Sequence, residues 1–164
     1  MRWKGSVTGM RAKLLVIAAA VIAAAGCGGG GSGSAPLSKS AYEHEMQAEA
    51  KRLTAAFRNA NVTSAKDIHD FANRLGSVKD DIAKGADDVD ALQPPVDAGE
   101  DTQTIADVLH RLAAVIGDIQ KAAAANDEAD FQRDVKQLAA ELRAAQPAVH
   151  DLKQKGYDVG EFGS

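Results

Sequence analysis

A second cysteine is missing from this chain of 164 residues, so no intrachain disulfide can brace its fold. Aromatic residues make up only 4%, too few for an aromatic ligand cage or a large hot-spot patch. No basic run occurs after Lys13, which argues against a nucleic-acid or anionic-membrane surface. No apolar stretch reaches the ~20 residues that a spanning helix needs. No serine sits in a Gly-x-Ser-x-Gly setting, and the Gly28–Gly33 run leads into no phosphate-binding helix start. Alanine is abundant and β-branched residues are sparse, a balance that favours helix over strand.

What is present begins with the leader. Arg2, Lys4, Arg11 and Lys13 form a basic segment without an acidic residue, and Leu14 to Ala25 is an apolar run. Its length suits the hydrophobic region of a secretion signal. Small residues follow in Ala24-Ala25-Gly26, then Cys27, then Gly28-Gly29-Gly30-Gly31-Ser32-Gly33-Ser34. This order resembles a bacterial lipoprotein signal with its lipobox, although Ala24 stands where Leu is usual. The glycine-rich style is similar to that of actinobacterial lipoproteins. The resemblance implies cleavage between Gly26 and Cys27, with diacylglycerol and often a further acyl group such as palmitate on Cys27. Two or more chains give a stable anchor where one gives a marginal one. The alternative is ordinary secretion, cut at a site such as Ala23-Ala24-Ala25, with Cys27 a free thiol. Met10 offers a second start, since Arg11 and Lys13 alone would serve as the basic segment.

Setting aside the four basic residues of the leader leaves 15 Lys and Arg against 23 Asp and Glu, a net charge of −8. The Gly/Ser stretch reads as a tether with a mean span of roughly 15–20 Å. The expected organisation is a signal peptide over 1–26, a lipidated cysteine and linker over 27–37, a helical domain over 38–156 and a tail over 157–164.

Four segments of that domain repeat apolar residues at steps of three and four. The first, about 38–60, carries Tyr42, Met46, Glu49/Ala50, Leu53, Phe57 and Ala60, with a start at Ser38 or at a Ser40/Glu43 capping box. The second, about 64–91, carries Ile68, Phe71, Leu75, Val78, Ile82, Gly85/Ala86, Val89 and Leu92, with Asp70/Arg74 and Asp80/Lys84 as solvated pairs. Pro94-Pro95 ends it. The third runs to about Ala125 through Ile105, Val108/Leu109, Leu112, Val115/Ile116, Ile119 and Ala123, with Asn126 a left-handed stop and Asp127 a cap. The fourth, about 128–155, carries Phe131, Val135, Leu138, Leu142, Ala145, Val149 and Leu152, with a kink expected near 143–146 ahead of Pro147. Short connections make neighbours antiparallel, and the expected fold is an all-α, up-down-up-down four-helix bundle. The tail is expected to fold back through Tyr157 and Phe162.

The histidines fall one per helix, at His44, His69, His110 and His150, but off the stripes and at different heights, so they read as surface residues. The acidic run at Asp87-Asp88-Val89-Asp90 lacks the alternation of a calcium loop and reads as a solvated helix face. Met46, one turn into the first helix, and His150, near the end of the fourth, belong to the same end of an up-down bundle. With Pro94-Pro95 and the Leu142-to-His150 spacing, this resembles the periplasmic four-helix b-type cytochromes. That resemblance implies Met46 and His150 as axial ligands of haem b. The reading preferred on the whole sequence is different: a lipid-anchored, extracytoplasmic, non-enzymatic module. It has no catalytic residue, no metal and no resident cofactor, and it meets the membrane through Cys27 and an envelope protein partner. The haem protein is the alternative.

Overall fold

The computed structural model describes residues 35–160 and 162; Gly26, Cys27 and the glycine run after it lie outside the described residues. Helices α1 (Lys39–Ala60), α2 (Ile68–Gly76), α3 (Lys79–Asp90), α4 (Gly99–Ala125), α5 (Glu128–Ala144) and α6 (Gln146–Gln154) follow in order, with no strand among the described residues. They form the four arms of an antiparallel up-down-up-down bundle: α1, then α2 with α3, then α4, then α5 with α6.

Local chemistry sets the ends. Ser38, not Ser40, caps α1, its Oγ accepting the Ala41 N–H at 3.3 Å. The left-handed Asn61 (φ 48°) stops α1, and a 3-10 turn over Val62–Ser64 delays the second arm until Asp67 caps Asp70 N–H at 2.8 Å. Asn126 (φ 54°) stops α4, and Asp127 caps α5 by accepting Asp130 N–H at 3.0 Å. Each cap satisfies donors that a helix start leaves without intrahelical partners.

Two arms are broken rather than continuous. At Gly76-Ser77-Val78 the Ser77 hydroxyl donates to Arg74 O at 2.6 Å, and Val78 N–H turns to Leu75 O, a tighter 3-10 step. A Gly-Ser pair is a known place for a helix to bend. The apolar face survives the break, because Leu75, Val78 and Ile82 are all buried. The second break is the one expected near Pro147. It is a one-residue break at Ala145, which keeps a right-handed helical backbone, with Pro147 in the first turn of α6, where its missing N–H costs nothing.

The core runs from Leu37 to Phe162, and the described residues form one compact unit. Its axis is α4, which packs against α2, α3, α5 and α6 and buries Ile105, Val108, Leu112, Ile116 and Ile119. By contrast α1 rests chiefly on α3. Its other flank is held by the tail. Tyr157, Val159 and Phe162 are buried, Gln47 donates to Asp158 O at 2.9 Å, and Asp158 N–H donates to Glu43 at 2.9 Å. At Gly160 the chain passes so close to α1 that a Cβ there would meet Ala50 Cβ at 3.1 Å, with φ at 77°. Only glycine fits both demands.

An apolar cleft between the first and fourth arms

Because α1 leans on α3 while α5 leans on α4, the first and fourth arms are not zipped together over their middle. A cavity of about 360 Å³ opens there. Leu53 and Phe57 of α1, Leu109 and Leu112 of α4, and Leu142 of α5 form its walls, with Ile82 and Ile105 deep within. Phe162 of the tail is also part of its wall. Thr54 supplies the single polar side chain among the described lining residues. Among the described residues, no acid or base lines this space.

Beside it, on the next face of α1, lies a second depression of about 530 Å³. It shares Ala50 and Thr54 with the cleft and adds Lys51, Arg58 and Asp158.

The charged and polar groups elsewhere act as fasteners. Tyr42 is fully buried, and its hydroxyl lies 2.7 Å from Thr102 Oγ1. The Thr102 proton goes to Ala98 O at 2.7 Å, so Tyr42 is the donor in the first bond. Tyr42 meets Tyr157 edge to face at 5.5 Å, and Tyr157 donates to Asp97 at 2.7 Å. Lys155 binds Asp101 at 2.6 Å and Asp151 at 2.8 Å, and these two carboxylates hold its ammonium well above the usual lysine range. Between α1 and α3, Arg52 contacts Glu49 at 2.7 Å and Asp88 at 2.8 Å, and Lys84 binds Asp88 at 2.6 Å. Burial raises the Glu49 carboxyl against the pull of Arg52, while Lys84 and Arg52 lower that of Asp88. Lys84 thus pairs forward with Asp88, not back with Asp80 as the spacing suggested. Asp70 and Arg74 pair as expected, at 2.8 Å.

The tyrosine fastener has a pH signature. The bond to Asp97 and burial push the Tyr157 hydroxyl up to about 12, and burial raises that of Tyr42. An unfolded tyrosine titrates near 10. The fold therefore holds these protons more tightly than the unfolded chain does. Their stabilisation is complete below about pH 10 and is lost as the pH rises toward 12. Melting temperature should fall between pH 9.5 and 11.5, and less steeply in Tyr157→Phe. Equal slopes in the two proteins would remove Tyr157 from the account.

The sequence-derived site residues are dispersed. Met46 is fully buried in the core, whereas His150 is exposed on α6 and accepts a bond from the Gln154 amide at 2.7 Å. Neither lines the cleft. The break at Ala145 does not rotate His150 inward, because Val149 and Leu152 keep the inward positions. His44, His69 and His110 are exposed too, and His69 donates to Asn126 Oδ1 at 3.1 Å. Among the described residues no three His, Cys, Asp or Glu side chains converge as a metal site requires, and no helix is long and apolar enough to cross a membrane.

Fold and cleft together define an all-α bundle with an apolar recess between its first and fourth arms. Compared with protein-family models, with curated proteins and with solved structures, the chain finds no match.

Proposed function

We infer that the protein is an extracytoplasmic lipoprotein, held to the membrane through Cys27, whose bundle serves as a non-enzymatic binding module of the envelope. The α1–α5 cleft carries the binding half of this reading. Pockets that bind small ligands are concave, mostly apolar and about 300–1,000 Å³ in volume, with few polar groups. The cleft has this character. The leader and Cys27 carry the anchoring half, and the acidic surface suits a module that does not lie flat on anionic lipid.

The anchor is tested by growing producing cells with an alkynyl palmitate. Wild type should take up the label and fractionate with membranes. Cys27→Ala should lose the label and leave the membrane fraction. Equal labelling of both proteins would refute attachment at Cys27.

A further inference from the structure

We propose that the cleft and the depression beside it form one site for a single-chain amphiphile with an anionic head, the aliphatic chain in the cleft and the head at Lys51 and Arg58. The inference rests on the binding-module reading and names its ligand class.

The register of α1 sets the two hollows side by side. Ala50, Leu53 and Phe57 line the cleft; Lys51, Thr54 and Arg58 stand one position later in each case. One residue is a turn of about 100° around a helix, so the second set forms the next strip of the same surface. The helix therefore offers an apolar edge and, directly beside it, a hydroxyl and two cations. Thr54 belongs to both hollows and marks the boundary.

The two cations are unspent. Arg52, Arg74, Lys84, Arg111, Arg133 and Lys155 each meet a carboxylate within 3.0 Å. Lys51 and Arg58 are exposed and, like Lys66, Lys79, Lys136, Arg143 and Lys153, enter no ion pair among the described residues; of these, Lys51 and Arg58 are the two that line the depression. Arg58 stands in the last turn of α1, where it also complements the helix dipole. Lys51 is mid-helix and has no such structural task. The same depression holds one acid, Asp158, whose carboxylate accepts Gly160 N–H at 3.3 Å. Among the described residues that line the depression, two cations stand with one tethered acid. Two such charges are too few to bind a membrane surface, yet enough to select one headgroup.

The cleft sets the other end of the ligand. Its volume of about 360 Å³ corresponds to on the order of a dozen methylene groups at interior packing density. Its walls offer no partner for a polar chain beyond the Thr54 hydroxyl, so a sugar or peptide backbone would enter with its hydrogen bonds unmade. A carboxylate or a phosphate would satisfy the cationic strip equally well.

The test uses the chain from Gly28 to Ser164, which contains the whole compact unit. The neutral fluorophore N-phenyl-1-naphthylamine reports cleft occupancy. Oleate, lysophosphatidylglycerol and uncharged oleyl alcohol compete with it below their micelle concentrations. The anions should displace the probe at about threefold to tenfold lower concentration than the alcohol, the size of an exposed charge contact. That advantage should vanish in Lys51→Gln/Arg58→Gln, while probe binding stays as in the parent. Displacement favouring oleate alone points to a free fatty acid, and displacement favouring the lysophospholipid alone points to a lipid headgroup. Either outcome supports the anionic head. If alcohol and anions compete equally, the cleft reading stands and this proposal falls. An advantage that persists in the double variant overturns the head site. A probe that does not bind overturns the cleft and the proposal together.

Discussion

A chain ending at Gly156 should lose most of its cooperative thermal transition. The eight residues removed include three that are almost fully withdrawn from water, Tyr157, Val159 and Phe162. Truncating one buried large aromatic costs about 3–5 kcal/mol. Two aromatics and a valine together approach the ~5–15 kcal/mol that holds a domain of this kind folded, even though such terms do not add fully. The deletion also strands partners. Asp97 loses the Tyr157 hydroxyl, Gln47 loses Asp158 O, Glu43 loses Asp158 N–H, and Gln146 loses Phe162 O. Helical circular dichroism should persist in part while the melting curve broadens and a dye for exposed apolar surface binds. A truncated chain that melts sharply within about 3 °C of the full chain would show that the tail only decorates the bundle, since this margin is worth less than about 1 kcal/mol.

The second large effect belongs to the third arm. Ile116 is 0% exposed and sits mid-way along α4, the helix that touches both neighbouring arms. Ile116→Ala should cost about 2–5 kcal/mol, the transfer of the lost methyls plus the cavity left in a site with no exposed flank to collapse from. That is roughly 10 °C in melting temperature for a domain of this size. Val96 is the control. It is 92% exposed in the turn before α4, and Val96→Ser should shift stability by less than about 0.5 kcal/mol. Comparable losses in the two variants would contradict the placement of α4 at the centre. In Ile116→Ala the neutral-probe assay should also weaken less than stability does, because Ile116 does not line the cleft.

The stripes, caps and stops were legible because each is a local fact. Tyr42, Met46, Leu53, Ile82, Ile105 and Leu152 are buried where the three-and-four spacing places them. Asn126, Asp127 and Pro147 act within a turn of themselves. The bend at Ser77 was hidden by the same spacing, since a 3-10 step of three keeps Leu75, Val78 and Ile82 on one side. The pairing of Lys84 was hidden because Asp80 and Asp88 both stand four residues away, and only the nearness of Arg52 on α1 gathers Asp88 into a cluster. The cleft was hidden for a broader reason. Periodicity tells which face of α1 is covered but not what covers it, and the cover is α3 on one flank and the tail on the other. Lys51 and Arg58 become noticeable only once the hollow beside the cleft is seen.

The tail gives the molecule an order of events in time. Its last apolar contact is made by Phe162, after all six helices have passed in the chain. A chain that is synthesised or threaded from its first residue onward has every one of these helices in hand before it has the piece that secures α1. The first arm is thus the first to emerge and the last to be locked. Until Tyr157, Val159 and Phe162 appear, α1 has its packing against α3 but not the cover on its other flank. The set of buried contacts is complete only once Tyr157, Val159 and Phe162 have arrived.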